Sequence, residues 1–262
     1  VTILPHDVHG DGPQRVIALH GWFSDRTAFR SIRPLLDTTR FSYAFVDVRG
    51  YGEASELAGE YTMAEIASDV LALADHLGWS EFSLLGHSMG GKAAAAVLAA
   101  DASRVTGIVG ISPVPASGVP FDDQAWQLFT GAAENADNRR AIIDLTTGNR
   151  HTGVWLDAMV RHSLAASSVS AFASYLLDWA RHDFHETVLG DPTPILVIAG
   201  EHDPALSADV LRGTWLAWHP HARVEVFGNA GHYAADETPI ALVSAVESFL
   251  TRQEADRPMA AG

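Results

Sequence analysis

The chain has 262 residues, 47% of them hydrophobic, with 17 Lys and Arg against 32 Asp and Glu, and no cysteine. That length buries a substantial core and suits one large domain or two small ones, while a formal charge of −15 argues against a nucleic-acid partner or an anionic membrane surface, both of which need a basic footprint. Without cysteine there is no disulfide framework, thiolate metal site or thiol nucleophile, so any catalysis falls to oxygen and nitrogen groups.

The chain opens Val1-Thr2-Ile3-Leu4-Pro5-His6-Asp7, without the basic start and long apolar core of a signal peptide. The alanine-rich stretch 93–100 falls far short of the roughly 20 residues that span a bilayer. A cytoplasmic protein without a membrane partner is expected. Apolar runs at 16–19, 41–46, 82–85, 105–111, 195–199 and 224–227 read as strands buried on both faces. Helical spacing of apolar residues at 63–77, 207–218 and 239–250, and the alanine-dominated run 92–100, separate most of them. Strand alternating with helix predicts an α/β fold with a mostly parallel sheet, helices on both faces, and function gathered at the carboxyl ends of the strands.

One interval breaks this rhythm. Between 115 and 191 there is no convincing strand, only amphipathic stretches near 121–134, 139–146, 154–165 and 170–184. The expected division is a core of residues 1–114 and 192–251, a helical cap or lid of 115–191 laid over the strand ends, and a flexible tail of 252–262. Aromatic and sulfur-bearing cap residues are candidates to line a substrate pocket: Trp126, Phe129, Trp155, Met159 and Trp179, joined by Phe23 and Tyr233 from the core. Exposed cap aromatics serve substrate entry or a homodimer contact equally well, so oligomeric state stays open.

The most informative stretch is Gly86-His87-Ser88-Met89-Gly90-Gly91, between an apolar strand-like run and the alanine-rich helix. A serine on a sharp strand-to-helix turn projects its hydroxyl at the end of the sheet, in front of unpaired helix N–H groups, which makes Ser88 the candidate nucleophile. A serine hydroxyl needs an imidazole to take its proton and a carboxylate to orient that imidazole. Of thirteen histidines, His232 sits in Gly228-Asn229-Ala230-Gly231-His232-Tyr233, a loop of small residues after the last strand. Asp203 follows the 195–199 strand in Gly200-Glu201-His202-Asp203-Pro204, with Glu201 the competing carboxylate; Ser112-Pro113-Val114, at the end of the 105–111 strand, supplies none. The order Ser88, Asp203, His232 is that expected of a nucleophile-elbow hydrolase. Oxyanion donors are expected at the N–H of Met89 and, from the loop His20-Gly21-Trp22-Phe23-Ser24, at the N–H of Trp22, with His20 bracing that loop.

Taken together, His20-Gly21-Trp22, Asp47-Val48-Arg49-Gly50-Tyr51-Gly52, Gly86-His87-Ser88-Met89-Gly90-Gly91, Gly200-Glu201-His202-Asp203 and Gly231-His232 resemble the successive signatures of the α/β-hydrolase superfamily. The resemblance implies a triad of Ser88, Asp203 and His232, an oxyanion hole at Trp22 and Met89, and a mobile lid. Gly-His-Ser-Met-Gly-Gly-Lys-Ala is similar to small cytosolic carboxylesterases and, less closely, to cofactor-free haloperoxidase or perhydrolase esterases. Ser88 excludes the dehalogenases and epoxide hydrolases of this fold, which carry Asp there. Trp22-Phe23-Ser24 departs from the glycine- and proline-rich oxyanion loop of the carbon–carbon bond hydrolases of aromatic degradation.

The expected activity is therefore hydrolysis of a hydrophobic or ring-containing ester or lactone through an acyl-enzyme. Carbon–carbon hydrolysis and a small-molecule receptor are the competing readings. His182-Asp183-Phe184-His185-Glu186 lacks the His-Glu-x-x-His spacing of a zinc site. No phosphate-binding or dinucleotide glycine loop appears. No cofactor or metal is implied, and the only expected partner is a small-molecule substrate.

Overall fold

The computed structural model describes residues 2–255. In chain order its elements are β1 (His6–His9), β2 (Gln14–Leu19), β3 (Phe41–Val46), α1 (Met63–His76), β4 (Phe82–His87), α2 (Met89–Ala100) and β5 (Val105–Ile111). Four helices follow before the sheet resumes: α3 (Asp123–Gly131), α4 (Ala136–Thr146), α5 (Gly153–Ala166) and α6 (Val169–Arg181). The chain then forms β6 (Ile195–Gly200), α7 (Ala208–Leu211), β7 (Ala222–Phe227), α8 (Ala234–Glu237) and α9 (Pro239–Ala255).

The strands form one sheet in the order β1-β3-β2-β4-β5-β6-β7. All pairings are parallel except that of β1 with β3, where His6 opposes Val46. Alternate side chains of each strand feed two cores. Ile17, Leu19, Leu84 and Ile108 meet α1 and α2 on one face, whereas Val16, Ala18, Leu85 and Val109 meet Val246 and Phe249 of α9 on the other. Burial on both faces explains why these strands read as continuous apolar runs.

β1 is a departure from the expected elements. Its sequence His-Asp-Val-His is half-buried at the sheet edge, so it carries no apolar run to announce it. The expected helix 207–218 is α7 running into a π-helical turn at Arg212–Leu216. The expected flexible tail is corrected at its start: α9 carries the chain to Ala255, so residues 252–255 are helical, while 256–262 lie outside the described residues. Among the described residues no helix is long and apolar enough to cross a membrane.

The α3–α6 helices, hereafter the cap, are inserted between the carboxyl end of β5 and the start of β6. Lys92, in the second turn of α2, donates from Nζ to the carbonyl oxygens of Trp179 (3.0 Å) and His182 at the carboxyl end of α6. The N–H of Ser168, between α5 and α6, donates to the Gly50 carbonyl at 2.8 Å. These three bonds satisfy backbone groups that would otherwise be orphaned where cap meets core.

Candidate active site

Ser88 ends β4 and caps α2 with φ 55° and ψ −116°, a conformation that costs a non-glycine residue roughly 1–3 kcal/mol and persists only where the surroundings enforce it. They do: the Ser88 N–H donates to the Ile111 carbonyl at 2.9 Å, and its own carbonyl accepts from Gly91 (2.9 Å) and Val114 (3.0 Å). The flanking glycines are steric necessities. A Cβ on Gly86 would lie 2.3 Å from the Gly90 carbonyl oxygen, and one on Gly90 would lie 2.2 Å from that of Leu19.

Asp203 lies three residues past β6 and is buried. Its Oδ1 accepts the N–H groups of Ala205 (3.0 Å) and Leu206 (3.2 Å), which aims Oδ2 at His232 Nδ1, 2.7 Å away. Burial pushes this carboxyl up, but the charge and hydrogen bond of His232 and the two N–H groups outweigh it and hold it below its ordinary value. Glu201 is exposed and directed toward His202 instead, at 3.7 Å.

The His232 backbone is held on three sides. Its N–H donates to Thr146 O at 3.1 Å, and its carbonyl accepts from His87 Nε2 at 2.8 Å. Burial, then the neighbouring His232, lowers His87 to about 3, so its ring is neutral and donates through Nε2. Glu237 accepts the N–H groups of Gly231 and Tyr233, on either side of the histidine.

The loop after β2 is braced in the same manner. His20 donates from Nδ1 to Gly21 O (2.9 Å) and accepts the Val48 N–H at Nε2 (3.3 Å). Asp47 accepts from the N–H groups of Arg26 (2.8 Å) and Glu53 (2.9 Å). Ser24 Oγ and His162 Nε2 of α5 share a 3.0 Å hydrogen bond. Met89 is the first residue of α2, so its N–H has no acceptor within the helix.

Ser88 and His232 line one cleft of about 490 Å³, counting its open mouth, with Trp22, Phe23, Val114, Val119, Phe121, Phe129, Ile142, Thr146, Trp179, Ala205, Leu206 and Tyr233. The Ser88 hydroxyl has no hydrogen-bond partner among the described residues. A larger cleft of about 850 Å³ lies at the opposite end of the sheet, around Arg15, Trp79 and Thr106, and touches none of these groups.

The structure thus brings Ser88, His232 and Asp203 together and sets Phe23, Phe129, Trp179 and Tyr233 around them. It does not bring Trp126, Trp155 or Met159 to the cleft. Trp126 lies under the Arg181 guanidinium at 4.0 Å, with Phe121 between it and the cleft side at 6.1 Å. Trp155, on α5, packs at a tilt against His151 (4.2 Å) and meets Tyr233 edge to face (5.8 Å). Met159, one turn further along α5, lines a separate small pocket with Ser24, His87 and His162. Sequence reasoning missed Phe121 and Val119, which precede α3, and Glu237, whose carboxylate reads as ordinary polarity before the last helix.

A family model described as the alpha/beta hydrolase fold matches residues 14–239. Among curated relatives, 3-oxoadipate enol-lactonase 2 of Acinetobacter baylyi is 29% identical over 216 residues, covering 79% of this chain and 77% of that one. The dihydrolipoyllysine-residue acetyltransferase component of an acetoin cleaving system from Pseudomonas putida is 27% identical over 252 residues; the match takes in 94% of this chain but 66% of that longer protein, just under two thirds of its length. Among solved structures, the enol-lactonase from Burkholderia xenovorans LB400 superposes with a TM-score of 0.81 at 23% identity, over 95% of this chain and 96% of that one. The chain belongs to the α/β-hydrolase fold family.

Proposed function

We propose that the protein is a serine hydrolase that cleaves a neutral, hydrophobic carboxylic ester or lactone. One observation carries the reading: Ser88, on its strained turn, opens into the same apolar cleft as a histidine bonded to a buried carboxylate at 2.7 Å. In the cycle, His232 takes the Ser88 proton as Oγ bonds to the carbonyl carbon, and the N–H groups of Trp22 and Met89 hold the oxyanion. The tetrahedral species collapses, the bond to the alkoxy oxygen breaks, and His232 protonates the departing alcohol. Water then gives a proton to His232 as its oxygen bonds to the acyl carbon, and as the bond from that carbon to Ser88 Oγ breaks His232 returns the proton to Oγ and the acid departs. Asp203 stays ionised throughout, holding the imidazole tautomer that leaves Nε2 free to accept. Substrate binding draws the Ser88 hydroxyl onto His232, since catalytic hydrogen bonds tighten in the complex.

The enol-lactonase of A. baylyi supports lactone or ester chemistry for this chain. The lining argues for a different substrate. A lactone of 3-oxoadipate retains a free carboxylate, and among the described residues no lysine or arginine lines this cleft to receive one. A neutral acyl group seated among Trp22, Phe121, Phe129 and Trp179 fits better.

The test is hydrolysis of a panel of neutral esters and lactones of increasing size by the intact protein and by Ser88→Ala. Turnover abolished by the substitution supports the reading, and the size profile then identifies the substrate. Equal background rates in both proteins overturn it and direct attention to carbon–carbon substrates.

A further inference from the structure

A buried carboxylate that the catalytic cycle does not use lies beside its base. Glu237 ends α8 with its side chain 2% exposed. Its Oε2 accepts the Gly231 N–H at 2.9 Å and its Oε1 accepts the Tyr233 N–H at 3.0 Å. These are the residues immediately before and after His232. The same carboxylate is met from the cap side by Arg150, whose Nη2 donates to Oε2 at 2.6 Å, and by His151 Nε2 at 3.1 Å. Arg150 also donates to the Asn229 carbonyl at 3.2 Å. Both residues lie in the connection between α4 and α5.

The Tyr233 N–H lies in the peptide plane that follows the His232 Cα and the Gly231 N–H in the plane one residue before the histidine's own, so with Thr146 O on the His232 N–H the carboxylate holds the loop on both sides of the base. Bonds to an ionised acceptor are about twice as strong as neutral ones. A buried carboxylate, however, is expensive without a cationic partner, and here its strongest partner comes from the cap. We propose that Glu237 is a positioning residue that makes the alignment of His232 conditional on docking of the cap at Arg150 and His151. With that corner docked, the carboxylate is neutralised and clamps the histidine loop. With it lifted, the charge is unpaired and draws in water, and the loop relaxes. The proposal rests on the reading of Ser88 and His232 as the hydrolytic pair. It adds that the base is competent only under a closed cap, which confines acyl-enzyme chemistry to a dry cleft.

The experiment compares the intact protein with Glu237→Gln, Glu237→Asp, Arg150→Met and Ser88→Ala, by the rate of modification with a fluorophosphonate and by kcat and KM on 4-nitrophenyl butyrate. A displacement of about 1 Å at a reacting group costs on the order of 10²-fold. Glu237→Gln and Arg150→Met are therefore expected to lower the labelling rate and kcat by about 10- to 100-fold. KM should hold within about twofold, because neither residue lines the cleft. Glu237→Asp, which keeps the charge but is one methylene short, should fall between. The double variant should be no slower than Glu237→Gln, the mark of two residues acting through one contact. Arg150 is partly exposed, which keeps the test available if Glu237→Gln fails to fold. Wild-type kcat in folded Arg150→Met would overturn the proposal while leaving the hydrolase reading intact. Failure of the intact protein to label faster than Ser88→Ala would overturn both.

Discussion

The indole ring of Trp22 lies 3.9 Å from the ring of Phe172, and its N–H donates to the Phe172 carbonyl at 2.8 Å. The Phe172 ring also meets Phe23 at 5.5 Å and the buried Arg139 guanidinium at 3.7 Å, so a core loop, a cap helix and a second cap helix are stacked as one unit. Tyr51 completes the arrangement by donating its hydroxyl to the Trp22 carbonyl at 2.8 Å. The backbone proposed to hold the oxyanion therefore takes its orientation partly from the cap. Trp22→Phe keeps an aromatic ring but loses the indole hydrogen bond, leaving the Phe172 carbonyl with its helical partner alone. It should cost about 1 kcal/mol of stability and lower kcat about tenfold, through a displaced N–H rather than a lost one. Parallel urea unfolding and steady-state kinetics check this; an unchanged kcat would mean that the loop holds its shape without the cap.

Asp203→Asn tests the orienting acid. The amide fits the same space and still accepts from Ala205 and Leu206, but it no longer selects the required imidazole tautomer, so kcat should fall about 10³- to 10⁴-fold with the fold retained. The carboxyl in the folded chain lies below its ordinary value. Its contribution to stability is thus complete above the ordinary carboxylate range near pH 4 and is lost as pH falls through the lower folded value, where the unfolded chain already binds the proton. Urea midpoints of the intact protein should drop toward, or below, those of Asp203→Asn on acidification from pH 5 to pH 2. Parallel acid profiles for the two proteins would count against this linkage.

Substrate charge gives a third prediction. Without a cation in the lining, a carboxylate on the acyl chain would be buried unpaired. A monoester of a dicarboxylic acid should therefore show kcat/KM at least tenfold below that of the matched neutral methyl diester. Bulky or cyclic neutral substrates should outperform acetates. A preference for the anionic substrate, or for acetate, would place the productive site elsewhere than among Phe121, Phe129 and Trp179.

Much of the architecture was legible because the α/β fold writes its pattern locally. Strands buried on both faces appear as apolar runs, and the turn at Ser88 requires glycines at positions 86 and 90 whatever the substrate. Asp203 and His232 were readable for the same reason: each follows a strand end, at a fixed place in the topology. The cap was legible only as helices. Which of its aromatics reach the cleft depends on how α3 and α5 cross the core, and spacing within a helix does not encode that; Phe129 reaches it, whereas Trp126, one turn earlier, covers Arg181. Glu237, Arg150 and His151 were hidden more deeply, since their meeting joins positions about 87 residues apart through charge, with no motif at either end.

Lys92 supplies the last prediction. Its side chain is fully buried beneath the cap, with Nζ on the Trp179 and His182 carbonyls and 5.3 Å from the Phe184 ring. Burial lowers its pKa to about 8, against the opposing pull of Asp178 and Asp183. Below pH 8 the folded and unfolded chains both carry the proton, and the folded state bears the full cost of a buried ammonium. Between pH 8 and the ordinary lysine value near 10.5, the folded chain loses the proton while the unfolded chain keeps it, so the unfolded state binds more protons and stability rises with pH. A shift of this size corresponds to about 3 kcal/mol across that window. Lys92→Met keeps the length and removes the titration. The stability of the intact protein minus that of the variant should therefore climb by this order between pH 8 and pH 10, measured by urea unfolding at fixed ionic strength. At pH 7 the two should lie close together, because relief from burying the charge offsets the two orphaned carbonyls, each worth about 1–3 kcal/mol. A difference that stays flat with pH would show that Lys92 is solvated through an open cap, and that the contact between α2 and the end of α6 is not a fixed hinge of the cleft.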